Sequence, residues 1–217
     1  MSNLFVLNVV RQQESVTREQ GEIKREPAKN ARENYNIMTS LKQKYTKEVI
    51  PKMKEKFGYK NDLAVPKILK AVVNTGFNPD KKNEKIQEEI SNDIALITGQ
   101  KPSSRQVKKA EAGFKIREGM IVGLAVTLRK KRMYDFLDRL VNIVLPRIRD
   151  FRGLSIKNVD KNGNLNIGIK EQIVFPEISA ENVKNIFGLQ VTAVTTASNQ
   201  EEGLELFRLL GFPLKKD

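Results

Sequence analysis

One stretch of nine residues, 121–129, restricts the fold more than any other part of the chain. Bulky apolar residues alternate there with small or polar ones. The first set is Val122, Leu124, Val126 and Leu128, and the second is Gly123, Ala125, Thr127 and Arg129. A period of two predicts a β-strand with one buried face and one open face. A sheet built from such strands needs a covering layer on its apolar side only.

Helix-like and strand-like periods alternate irregularly along the rest of the chain. An apolar residue recurs at every fourth position from Leu41 to Phe57, which predicts a helix. Thr39 or Ser40 would cap it, and Pro51 is expected to kink or split it. Further helices are predicted at 80–98, 136–144, 181–187 and 201–210, and further strands at 68–73, 164–170 and 189–197. Without a strict strand–helix–strand rhythm, these elements indicate an α+β domain, an antiparallel sheet with helices packed on one face.

The N-terminal part of the chain differs in composition. The apolar run from Leu4 to Val10 follows no basic segment and is too short for a secretory signal or a membrane span. Residues 11–36 show no apolar period, so they cannot bury enough surface to offset the entropy lost on ordering. We therefore expect an N-terminal extension at 1–37 and a single domain at 38–217. The extension is either disordered or partly helical, or it folds along RNA or a neighbouring protein.

Charge and composition narrow the class of function. The 217 residues carry a net charge of +13, which favours a polyanionic partner, either nucleic acid or an anionic membrane surface. The chain has no Cys and no His, which excludes thiol nucleophiles, Ser-His-Asp triads and the usual zinc ligand sets. No spacing of Asp and Glu resembles a magnesium site. Chemistry that uses a carboxylate, Lys or Tyr side chain remains possible, and we expect no cofactor and no metal.

The alternation also predicts the chemistry of the open sheet face. The outward positions are occupied by Asn74, Thr127, Arg129, Gln190, Thr192 and Thr196. Short hydroxyls and amides beside an Arg suit contacts with the 2′-hydroxyls and phosphates of structured RNA. Aromatic residues are few in these strands, so stacking on unpaired bases is not indicated.

Five segments resemble one known family, in the family's order and spacing. They are 97–102 (ITGQKP), 112–119 (AGFKIREG), 126–129 (VTLR), 145–154 (LPRIRDFRGL) and 169–178 (IKEQIVFPEI). From Met38 onward the chain resembles the bacterial large-subunit ribosomal proteins that bind 5S ribosomal RNA. The resemblance implies a cytoplasmic, non-catalytic protein of the ribosome. It also implies a role in attaching 5S rRNA to 23S rRNA in the central protuberance, beside neighbouring large-subunit proteins.

The resemblance assigns the 5S rRNA contact to Asn74, Gln100, Thr127 and Arg129. Amides and hydroxyls can both donate and accept hydrogen bonds, and Arg can hold phosphate through its fork of donors. Simpler interpretations remain open. Asn74 and Gln100 could merely cap a strand and a helix end, and Thr127 could be a β-former on an exposed face.

The resemblance further implies a basic projecting loop, 108–119, that contacts peptidyl-site tRNA. Its candidate contacts are Lys108, Lys109, Phe114, Lys115 and Arg117, and the alternative is a solvated basic loop. Gly113 and Gly119 would give the loop conformational freedom.

A charged turn follows the third predicted helix. It carries Arg147, Arg149 and Arg152 around Asp150, and it either contacts RNA or forms an internally paired corner. In the family, the same end of the molecule approaches a protein of the small-subunit head.

Two rival classes are a basic protein that binds membrane surfaces or RNA in general, and a nucleic-acid enzyme. Membrane binding by the N-terminal extension requires a basic amphipathic face, whereas that segment mixes in acidic residues. A nuclease requires clustered acids for a metal ion. Neither class accounts for the five ordered segments, and no membrane partner is expected.

Overall fold

The central element of the fold is an antiparallel sheet. The computed structural model describes residues 40–77, 84–114, 116–179, 181 and 183–215. Within these residues, five strands pair in the order β2-β3-β1-β5-β4. They are β1 (Ile68–Gly76), β2 (Ser103–Gln106), β3 (Ile121–Leu128), β4 (Leu165–Ile169) and β5 (Leu189–Thr195). All neighbouring strands are antiparallel, as predicted.

Helices cover the apolar face of this sheet. The described α-helices are α1 (Leu41–Lys44, the π turn Tyr45–Val49, then Ile50–Phe57), α2 (Glu84–Thr98), α3 (Lys130–Arg139, the π turn Leu140–Val144, then Leu145–Arg147) and α4 (Gln200–Leu210). Short 3-10 helices form at Asp62–Ala64, Ala112–Phe114, Ile156–Asn158 and Gln172–Val174. Val73 of β1 is buried in one core with Ile94 of α2, Leu137 of α3 and Phe207 of α4. Asn74, the next residue of β1, is exposed on the opposite face. The predicted α+β class is therefore confirmed.

Two helices accommodate a proline in the same way. In α1 a π turn, Tyr45–Val49, ends two residues before Pro51, and in α3 the π turn Leu140–Val144 ends two residues before Pro146. Proline lacks an N–H, and its ring clashes with the carbonyl four residues earlier, which here lies inside each π turn. The wider turn lets the helix continue past the ring. Pro51 therefore neither ends α1 nor splits it into two helices, although proline usually breaks a helix.

The middle strand, β1, is longer than predicted. Asn74 pairs with Ala125 of β3 on one side and with Gln190 of β5 on the other, so β1 continues to Gly76. At this end Gly123 permits close packing of the strands, because a Cβ there would lie 2.7 Å from the Thr75 carbonyl oxygen. The sequence Asn-Thr-Gly resembles a turn, but pairing on both sides keeps it extended.

One predicted helix does not form. Residues 183–187 are irregular because the buried side chain of Gln172 binds their backbone. Its amide Nε2 donates to the Asn185 carbonyl over 2.6 Å, and its Oε1 accepts from the Phe187 N–H over 2.9 Å. Strand β2 was not predicted. Three predictions lie outside the described residues: the extension 1–37, the Thr39 cap and the helix start at Asp80.

Candidate nucleic-acid interface

The open face of the sheet consists of two rows of small side chains that cross the strands. Paired residues form the first row, which is Gly168, Gln190, Asn74, Ala125 and Ser103. The second row, one pleat along, is Asn166, Thr192, Val72 and Thr127. We call these nine residues the outer face. No side chain in it is larger than Gln and none is charged, so it is a shallow, mostly polar surface.

The structure brings Asn74 and Thr127 together on the outer face. Thr127 pairs with Val72, and Asn74 with Ala125, so the two lie diagonally across neighbouring strands. Diagonal neighbours in an antiparallel pair are roughly 7 to 8 Å apart. Because Asn74 is paired on both sides within β1, the strand-cap interpretation of this residue is wrong. Thr127 is half-exposed, with its neighbours Val126 and Leu128 buried on the helix side.

Cations border the second row of the outer face. Arg129 directly follows β3 in an extended conformation and is exposed, as are Lys130, Lys131 and Arg132 at the start of α3. Lys70 precedes Ala71, the partner of Leu128, and so lies beside Arg129. We call Lys70 and 129–132 the cationic edge. Among the ion pairs between described residues, none includes a member of this edge.

Gln100 occupies a different position. It lies in the turn between α2 and β2, is half-exposed, and follows Gly99, whose φ of +68° ends the helix. Its backbone N–H donates to the Thr98 hydroxyl over 3.4 Å, and that hydroxyl in turn donates to the Ile94 carbonyl over 2.7 Å. The backbone of Gln100 thus takes part in ending the helix. Its position adjoins β2, at the edge of the sheet.

The described part of the predicted arm, 108–114 and 116–119, continues the β2–β3 hairpin. At its base the Val107 N–H donates to the Met120 carbonyl, and further out Glu111 and Ile116 exchange two backbone hydrogen bonds of 3.1 and 3.2 Å. Gly119 has a φ of +82°, a conformation that favours glycine, so the prediction of conformational freedom fits this residue. Gly113 does not have a positive φ.

Three candidate cations of this arm lie among the described residues. Lys108, Lys109 and Arg117 are exposed, while Lys115 and the side chain of Phe114 lie outside the described residues.

The charged segment at the end of α3 also presents its cations to solvent. Arg147, Arg149 and Arg152 are all exposed, and Asp150 adopts a left-handed conformation with φ of +56°. No carboxylate–guanidinium pair within 4.0 Å joins Asp150 to them in the described part of the chain. The internally paired corner is therefore not formed, and no described carboxylate occupies the three guanidinium groups.

A hydrogen-bonded group on β4 and β5 was missed by the sequence reasoning. Asn166 Oδ1 accepts from the Thr192 hydroxyl over 2.7 Å and from Gln190 Nε2 over 3.3 Å. Asn166 occupies an outward position of the predicted strand 164–170, so alternation alone could have placed it on the polar face. Its link to Thr192 depends on the register of β4 against β5.

Comparison with known proteins identifies the family. The family model described as "Ribosomal protein L5" matches residues 61–117, and the model of the C-terminus of the same ribosomal family matches 121–214. Large ribosomal subunit protein uL5 of Clostridium botulinum (strain Eklund 17B / Type B) is 52% identical over 176 residues, covering 81% of this chain and 98% of the relative. The uL5 of Halothermothrix orenii is 51% identical over 179 residues, covering 82% of this chain and 100% of the relative. Large ribosomal subunit protein uL5c of Gracilaria tenuistipitata var. liui is 51% identical over 174 residues, covering 80% of this chain and 97% of the relative.

These matches define the class of protein as a structural component of the large ribosomal subunit. The chain belongs to the ribosomal protein L5 family. It is not an enzyme, it resides in the ribosome in the cytoplasm, and it associates with ribosomal RNA and other ribosomal components. The resemblance carried by the five segments is thus confirmed. Among the described residues, no helix is long and apolar enough to cross a membrane, and no cluster of acidic side chains could hold a metal ion.

Proposed function

We propose that the outer face binds 5S rRNA and that the protein attaches this RNA to 23S rRNA in the central protuberance. The observation that carries the proposal is a shallow polar surface bordered by cations that lack acidic partners among the described residues. The minor groove of A-form RNA is wide and shallow and displays 2′-hydroxyls, so small hydroxyl and amide side chains can approach it closely. The cationic edge would hold the phosphates that flank the groove.

Asn74, Gln100, Thr127 and Arg129 are proposed as the 5S rRNA contacts. Asn74 and Thr127 lie together on the outer face, Arg129 belongs to the cationic edge, and Gln100 lies in the turn before edge strand β2. The first three adjoin one another and fit one continuous surface. Gln100 would contact RNA that extends past β2.

Two other surfaces are proposed to serve partners besides 5S rRNA. The hairpin arm would contact peptidyl-site tRNA through Lys108, Lys109, Phe114, Lys115 and Arg117. The two backbone hydrogen bonds between Glu111 and Ile116 pair the two sides of the arm, which supports such a contact. The guanidinium groups of Arg147, Arg149 and Arg152, which have no carboxylate partner among the described residues, would contact RNA or a protein of the small-subunit head.

We further propose that 1–37 is an extension of a single domain, 38–217. Both family matches fall within 61–214, and 81% of this chain covers 98% of a curated relative.

Equilibrium binding to 5S rRNA and to a structured control RNA of equal length, at two salt concentrations, tests the RNA proposal. Affinity for 5S rRNA should be the higher, and it should fall steeply with salt because counterions are released. Arg129→Ala should weaken binding about tenfold to hundredfold, as expected for a charge-assisted hydrogen bond, and should reduce the salt slope by about one. Thr127→Ala should weaken binding less, with little change in slope.

Arg208→Ala is the matched control. Arg208 is an exposed Arg on α4, in the helical layer, so its loss removes the same charge without touching the outer face. Its affinity should stay near that of the unchanged protein. Equal binding of the unchanged protein to both RNAs would require withdrawal of the 5S rRNA assignment for Asn74, Gln100, Thr127 and Arg129.

A further inference from the structure

The outer face has two chemically different halves. Toward the cationic edge, Thr127 and Arg129 offer donors to phosphate. Toward β4, the side chains of Asn166, Gln190 and Thr192 are bound to one another. The second half carries no cation among its row members, so it cannot hold phosphate through opposite charge.

The direction of the hydrogen bonds decides what the second half can recognise. The Thr192 hydroxyl donates its one proton to Asn166 Oδ1 over 2.7 Å. A hydroxyl whose proton is used in this way can still accept, through its remaining lone pair, but cannot donate. Asn166 Oδ1 also accepts from Gln190 Nε2. The other polar atom of this Gln190 side chain, Oε1, is an acceptor. An acceptor repels phosphate oxygens but can receive a hydrogen bond from a ribose 2′-hydroxyl.

We infer that Thr192, held in place by Asn166, accepts a hydrogen bond from a ribose 2′-hydroxyl and thereby helps the outer face distinguish RNA from DNA. Asn166 is a positioning residue here, because it acts by fixing the direction of the Thr192 proton. The inference rests on the proposed binding of RNA by the outer face. Beyond that proposal, it names the ribose 2′-hydroxyl as the chemical group that the β4–β5 half of the outer face recognises.

Interference mapping with 5S rRNA tests this assignment. Transcripts that each carry a single randomly placed 2′-deoxynucleotide are bound to the full-length protein, and bound and free fractions are compared at every position. For the unchanged protein, certain positions should bind about threefold to tenfold more weakly when the 2′-hydroxyl is missing, as expected for the loss of one hydrogen bond. Thr192→Val should bind fully ribose RNA about threefold to tenfold more weakly and should lose sensitivity at a subset of these positions.

Two further variants separate recognition from a structural effect. Thr192→Ser keeps the hydroxyl and should retain the full interference pattern. Asn166→Ala should lose sensitivity at the same positions as Thr192→Val. Thr46→Val is the matched control, since Thr46 is an exposed threonine on α1 whose hydroxyl donates to the Lys42 carbonyl of its own helix.

The outcomes distinguish the inference from the function on which it rests. If Thr192→Val keeps every sensitive position, or if Thr192→Ser loses the same ones, the assignment to Thr192 is overturned. If the unchanged protein prefers 5S rRNA but no position responds to deoxy substitution, the ribose inference fails while the RNA-binding proposal stands. If the unchanged protein shows no preference for 5S rRNA, the proposed function itself fails.

Discussion

The side chain of Gln172 allows a quantitative test of how the sheet is joined to an irregular segment. Gln172 is fully buried and supplies the hydrogen-bond partners of the Asn185 carbonyl and the Phe187 N–H. Gln172→Leu keeps a side chain of similar size but leaves both backbone groups without their partner. An unpaired buried polar group costs about 1 to 3 kcal/mol. The half-exposed Asn185 carbonyl should fall at the low end of this range and the buried Phe187 N–H higher, so we expect a total loss of about 3 kcal/mol.

Urea unfolding followed by circular dichroism measures this loss. The midpoint should fall while the slope of free energy against urea stays the same, which indicates a change in stability rather than in compactness. Gln106→Leu is the control, because Gln106 is exposed on β2 and its replacement should change stability by less than about 0.5 kcal/mol. A loss below about 1 kcal/mol for Gln172→Leu would refute the view that these two bonds hold 183–187 in its irregular conformation.

Three further predictions concern packing, acid stability and the arm. A Cβ at Gly203 would lie 2.5 Å from the Gly163 Cα, so Gly203→Ala should lower the free energy of unfolding by about 2 kcal/mol in the same urea assay. Desolvation raises the pKa of Asp160, but hydrogen bonds from the Asn164 side chain and from two backbone N–H groups lower it more. The pKa therefore lies below its ordinary value. The carboxylate should therefore stabilise the protein fully above about pH 4 and less as the pH falls further, and Asp160→Asn should flatten this dependence in urea unfolding at stepped pH. Arg117→Ala should leave 5S rRNA binding nearly unchanged but weaken peptidyl-site tRNA binding in assembled ribosomes, measured by filter binding.

Alternation predicted the sheet well where one face of a strand is buried, and failed where it is not. Residues 121–129 show the buried positions directly, so both the strand and its open face could be predicted. Strand β2, with the sequence SSRQ, is an edge strand whose four residues are all exposed. It therefore has no apolar period to detect. The helix prediction for 183–187 was wrong for a different reason. Val183 and Phe187 have helical spacing, but the Gln172 side chain binds the Asn185 carbonyl and the Phe187 N–H.

The candidate interface was predictable residue by residue but not as a surface. Alternation places Thr127, Thr192 and Asn74 on outward positions of three separate strands. Only the register of each pair shows that they form continuous rows and that Asn166 lies beside Thr192. Register depends on contacts between residues far apart in the sequence, which no local pattern encodes.

The position of the cationic edge is difficult to explain by folding alone. Four consecutive cations, Arg129 to Arg132, surround the N-terminus of α3, and the first turn of that helix contains no acidic residue. Positive charge at a helix N-terminus opposes the helix dipole, and each charge there costs about 0.3 to 1 kcal/mol when it is weakly screened. Repulsion between the neighbouring cations adds to this cost. A bound phosphate chain would offset both effects at once, because it brings negative charge to the helix N-terminus and between the cations. The unfavourable local arrangement therefore supports a role in RNA binding, since stability alone would favour acidic residues at these positions.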